Sequence, residues 1–116
     1  MSQPDFHEHL FDIQQACSLI QEFTMGLTFD EYRDDARTYS AVERQFEILG
    51  AALPRMLQAF PELASALPDA PHIVELREVL IQATAPSHGA VWSALESHLP
   101  QLAREVEMLL DLDASS

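Results

Sequence analysis

No lysine occurs among the 116 residues of this chain, and its six basic residues, all arginine, face 19 aspartates and glutamates. The net charge of −13 works against nucleic-acid binding, which draws most of its affinity from Lys and Arg on phosphates. Such a surface repels a phosphate backbone, DNA included, unless a local basic cleft overrides the mean field. A single cysteine, Cys17, excludes an internal disulfide framework and fits a reducing cytoplasm. No run of about 18 apolar residues is present, so no membrane span is expected. The opening "MSQPDFHEHL" is acidic and polar, unlike a secretion signal. Three glycines leave no glycine-rich phosphate loop, and no serine sits in a nucleophile elbow. No cofactor is implied.

Apolar residues are not scarce: they make up 47% of the chain, which favours a packed core over disorder. Their spacing is helical. Phe6, Leu10, Ile13, Cys17 and Ile20 step by four and three; so do Val42, Phe46, Leu49, Leu53, Met56 and Phe60, and so do Trp92, Leu95, Leu99, Leu102, Val106 and Leu109. Stripes of this kind must be buried against other helices. They predict an all-α, antiparallel bundle of four main helices, near 4–25, 36–60, 71–84 and 88–111. One domain spans residues 3–112, with 113–116 a disordered tail.

Local signals mark the ends. Ser2 with Asp5 caps the first helix, and Gly26 ends it. Thr28 and Glu31 form a capping box for a short extra helix in "TFDEY". Asp69 and Pro71 start the helix whose apolar face is Ile73, Leu76 and Leu80, and Pro86 closes it. Pro54 predicts a kink, eased by Gly50 four residues earlier. Pro100 bends or interrupts the last helix.

Few residues offer chemistry. His7 and His9 are two apart and point to different sides of a helix, without the i, i+4 spacing of a helical zinc pair. His72, His88 and His98 are distant from one another in sequence. Surface histidines account for all five as well as a metal site does. Cys17 lies on an apolar stripe, where a small hydrophobe is expected rather than a nucleophile.

Four segments, in order, are similar to one family: "HLFDIQQACSLIQEFTMGLTFDEYRDD", "RTYSAVERQFEILGAAL", "LREVLIQATAP" and "VWSALESHLPQL". They resemble the HepT-like proteins, the toxin halves of HepT–MntA toxin–antitoxin pairs, over about residues 5–112. The resemblance implies an all-helical homodimer, a ribonuclease motif R-N-x-hydrophobic-hydrophobic-H-x-Y near the dimer cleft, and an MntA-type minimal nucleotidyltransferase that adenylylates the motif tyrosine. Laid on that motif, Arg77 keeps the arginine position, and Leu80 and Ile81 keep the apolar pair. Glu78 replaces the asparagine, Gln82 the histidine and Thr84 the tyrosine. Ala51 departs from the family's usual glutamate.

The departures matter chemically. Histidine moves protons near neutral pH because its ordinary pKa is about 6.5; a glutamine amide does not titrate there. Losing a general acid or base costs about two to four orders of magnitude in rate. Three readings follow. One is a HepT-like dimer without nuclease activity, a binding or regulatory module still able to meet a nucleotidyltransferase. A second is an active ribonuclease that acts on RNA through Arg77 and His88, eleven residues further on and folded back or supplied by a second subunit. A third is an unrelated acidic helical adaptor. In the first reading Arg77 is a remnant that lies in a cleft and binds an anion or an acidic neighbour.

Overall fold

The computed structural model describes residues 4–115 of the chain; the cap expected from Ser2 lies outside them. All of the regular structure in them is helical: α1 (Pro4–Thr24), α2 (Phe29–Arg33), α3 (Ala36–Ala59), a short 3-10 helix (Pro61–Ala66), α4 (Ala70–Gln82), α5 (His88–Ser97) and α6 (Leu99–Ser115). No helix among the described residues is long and apolar enough to cross a membrane.

The helices close into a ring around one core. α3 packs on α1 and on α4, α1 on α6, and α5 on both α4 and α6. Phe6, at the start of α1, meets Phe60, just past the end of α3, edge to face at 5.1 Å, so those two helices run antiparallel. The stripes of α1 and α3 are buried as the periodicity predicts, with Leu10, Ile13, Phe46, Leu49 and Leu53 fully enclosed. Each such side chain contributes about 1.5–3 kcal/mol on leaving water.

Local signals behave as chemistry requires. Gly26 has φ +78°, the left-handed conformation that ends a helix cheaply only at glycine. The Thr28 hydroxyl accepts from the Glu31 amide at 3.2 Å, and the Glu31 carboxylate accepts from the Thr28 amide at 2.9 Å. α3 runs through Pro54 without interruption.

The last helix is interrupted beside Pro100 as expected, but its buried row departs from the expected stripe. It breaks at His98, ahead of Pro100, into α5 and α6. The break resets the helical phase. Val91 and Ala94, not Trp92 and Leu95, are the buried residues of α5, and Leu110 rather than Leu109 continues the buried row of α6. A straight helix could not lay its first half on α4 and its second on α1; the broken one does both. α4 ends at Gln82, two residues before its expected limit. The expected disordered tail is instead helical through Ser115, with Asp113 buried and its carboxylate accepting from Nδ1 of His7 at 3.0 Å. That bond ties the end of α6 to the first turns of α1.

Candidate functional site

Arg77 sits in the middle of α4, where that helix packs closely against Gly50 of α3. A Cβ placed on Gly50 would stand 2.5 Å from Cβ of Arg77, 3.0 Å from its Cδ and 3.2 Å from the carbonyl oxygen of Ile73. Only glycine fits, because it has no Cβ. Gly50 therefore does more than ease Pro54: it seats the arginine stem against α3.

The consequence is a cleft of about 230 Å³ lined by Arg44, Glu47, Ile48, Ala51, Arg55 and Arg77. Half of the chain's six arginines meet there. Arg44, Ile48, Ala51 and Arg55 follow the spacing i, i+4, i+7, i+11 and so share one face of α3, beside its apolar stripe. That spacing was readable in the sequence, but nothing local says that Arg77 of another helix joins the row. The Arg77 side chain keeps 35% of its exposure.

The arginines have weak protein partners. Arg77 Nη1 is 3.6 Å from Glu78 Oε1, and Arg44 Nη1 is 3.6 Å from Glu47 Oε1. Arg55 Nε donates to the Ala51 carbonyl at 3.4 Å. The contact with Glu78 is one that helical spacing does not favour; it forms at the exposed rim. Exposed pairs at this distance contribute little.

Gln82 is the last residue of α4 and Thr84 lies beyond it, both exposed. No histidine lines the arginine cleft. His88, the first residue of α5, turns to a different neighbourhood. Its ring lies 4.5 Å from that of Tyr39 and 5.9 Å from that of Tyr32, edge to face. It is half-buried rather than solvated, and its Nδ1, the Tyr32 hydroxyl and Oε2 of Glu43 are enclosed without a hydrogen-bond partner among the described residues. Burial pushes the Tyr32 phenol well above its ordinary range, with the Glu43 charge adding to the shift. Burial also raises the Glu43 carboxyl, against the opposing pull of His88.

Two histidines that are distant in sequence meet in space. The rings of His72 and His98 stack with centroids 4.0 Å apart and planes 9° apart, and His98 Nδ1 donates to Asp69 at 2.8 Å. Asp69 consequently makes no side-chain cap to α4, the helix it precedes. No group of three or more His, Cys, Asp or Glu side chains among the described residues is placed to hold a metal ion. The Cys17 thiol is buried and pushed up to about 12 by desolvation, which makes it a core residue and a poor nucleophile.

With the geometry in hand, known proteins give the context. A family model described as "Ribonuclease HepT-like" matches residues 13–109. A protein of Thermococcus cleftensis named "Probable ribonuclease HepT" is 30% identical over 103 residues, covering 88% of this chain and 93% of that one. A protein of Methanocaldococcus jannaschii that carries the name "Putative RNase" is 27% identical over 113 residues, covering 95% and 91%. No solved structure matches. A helical ring that seats Arg77 of the fourth helix against the third, and a family match over most of its length, lead to one conclusion: this chain belongs to the HepT-like family.

Proposed function

We propose that this chain is a HepT-like protein that has lost RNA cleavage and kept binding at the Arg77 cleft, serving as a dimeric binding or regulatory module. The observation that carries this reading is the composition of the cleft. Arg44, Arg55 and Arg77 line it, but its only other ionisable side chain is Glu47, which is held by Arg44 and, as a carboxylate, is a far weaker base than an imidazole. Cleavage of a phosphodiester without a metal needs a group that takes and returns a proton near neutral pH. At the position of the family's motif histidine this chain has Gln82, exposed at the end of α4 and outside the cleft lining. Nucleotidyl transfer to the motif tyrosine is lost by the same logic, because Thr84 offers an aliphatic hydroxyl on a short branched side chain. A minimal nucleotidyltransferase remains the class of partner that family membership suggests. Met108 and Leu112, one turn apart on α6 and both exposed, support self-association, since exposed apolar side chains on one helix face are favoured sites of protein contact.

The test is direct. Purified protein is incubated with structured and single-stranded RNA, and growth is followed when the chain is expressed alone. No cleavage above buffer and no growth arrest are expected. Cleavage abolished by Arg77→Ala would sink the reading and favour an active ribonuclease. Light scattering checks the dimer, which a 13.0 kDa particle at high protein concentration would contradict.

A further inference from the structure

We infer that the Arg44–Arg55–Arg77 cleft is a binding site for a phosphate monoester rather than for an RNA strand. This rests on the reading that binding survives at this cleft without cleavage, and it names the ligand. The first argument is charge. The lining holds three guanidinium groups and one carboxylate, a formal +2, inside a chain of net charge −13. Cations that line one cleft repel one another. A bound anion removes that cost. A phosphate monoester carries about −1.5 to −2 charges at neutral pH and matches the formal +2 of the lining, Glu78 lying outside it at the exposed rim; a backbone phosphodiester carries one.

The second argument is access. The guanidinium groups are held by contacts of 3.4 to 3.6 Å, long for charge-assisted hydrogen bonds, which run about 2.7–2.9 Å. Their N–H groups can turn to a ligand without breaking a strong bond. Arg is suited to this task, because its planar fork meets two phosphate oxygens at once. The third argument is size. About 230 Å³ is below the usual 300–1,000 Å³ of sites that enclose a whole small molecule. The cleft takes a phosphate group and leaves the remainder of the ligand outside. A strand would have to track a positive groove beyond it, and the chain's net charge of −13 opposes that. Gly50 makes the site possible, since any larger residue would push Arg77 away from the α3 arginines.

The experiment is a calorimetric titration of the whole chain with four probes: inorganic phosphate, a nucleoside 5′-monophosphate, and one short RNA with and without a 5′-phosphate. The monophosphate is expected to bind, phosphate to compete with it, and the RNA to bind only when 5′-phosphorylated. Arg55→Gln and Arg77→Gln should each weaken binding by about tenfold or more, as loss of a charge-assisted contact does. Arg104→Gln on α6 should leave it unchanged. Arg55 is exposed, so its variant reports on the site even where the Arg77 variant folds poorly. Absence of binding by both phosphate and the monophosphate overturns the inference. So does equal binding of the two RNAs, or an equal loss in Arg104→Gln. Cleavage of RNA in the earlier assay bears on the lost nuclease chemistry alone, so the two readings fail separately.

Discussion

The arginine cleft between α3 and α4 and the aromatic cluster between α2, α3 and α5 are opposites built on one helix. Arg44, Glu47 and Arg55 face the first; Tyr39 and Glu43, a turn earlier on α3, face the second. The cleft has cations, an open mouth and no imidazole. The cluster has an imidazole, two phenols and a carboxyl, but Nδ1 of His88, the Tyr32 hydroxyl and Oε2 of Glu43 are enclosed. RNA cleavage needs both sets on the same phosphate. A cation site and a proton carrier in separate neighbourhoods support the proposed reading of binding without cleavage.

The strongest way to break this contrast is to put the missing imidazole back. Gln82→His places a titratable ring on an exposed helix end, where it costs little stability. If loss of the motif histidine is what separates binding from cleavage, the variant gains RNA cleavage by about two to four orders of magnitude over the native chain. A quenched-fluorophore RNA assay reads this, and no gain would mean that the cleft lacks more than a proton carrier.

Gly50→Ala tests how the cleft is built. Its methyl would meet Arg77 at 2.5 Å, so α4 must shift. Overpacking of this kind costs about 1–3 kcal/mol, seen as a lower melting temperature, and phosphate binding should weaken with it. A variant as stable as the native chain would show that α4 is less tightly seated than its contacts indicate.

Tyr32→Phe addresses the cluster. The ring is fully buried and its hydroxyl lacks a partner among the described residues. Removing such a group relieves a desolvation penalty of about 1–3 kcal/mol, so chemical denaturation should find the variant equally or more stable. A clear loss would reveal a bond that the hydroxyl makes.

The smallest effect is a slope. Glu43 is raised in the folded chain, chiefly by burial. The folded state then holds its proton more tightly than the unfolded state. Its contribution favours folding below the ordinary carboxylate range and is lost as pH rises through the raised value. Glu43→Gln should flatten stability against pH just above that range and leave the cleft's phosphate affinity unchanged. A titration curve identical to the native one would remove Glu43 from the account.

Much of the fold was legible beforehand because helical faces are written locally. Stripes stepping by three and four in α1 and α3 could only be buried rows. The Thr28 capping box and Gly26 needed no tertiary knowledge. The last helix is legible only in part: the apolar spacing continues a stripe through Trp92 and Leu95, whereas the break at His98 shifts the buried row to Val91 and Ala94. A phase change of one residue is invisible where apolar residues fill both rows. Nothing local in "DASS" shows that the Asp113 carboxylate accepts from His7 at the other end of the chain.

The sequence by itself determined the all-helical class, the acidic net charge, and the presence of Gln82 and Thr84 rather than histidine and tyrosine five and seven residues after Arg77, since each is a matter of residue identity or of spacing along the chain. Tertiary structure alone decided that Arg77 joins Arg44 and Arg55, that His88 turns to Tyr32 and Tyr39, and that His72 stacks on His98. Those meetings depend on how helices are rotated and how closely they approach. Periodicity fixes which face of a helix is buried, but the distance between two helices is set where they touch, here at a glycine that leaves room for an arginine.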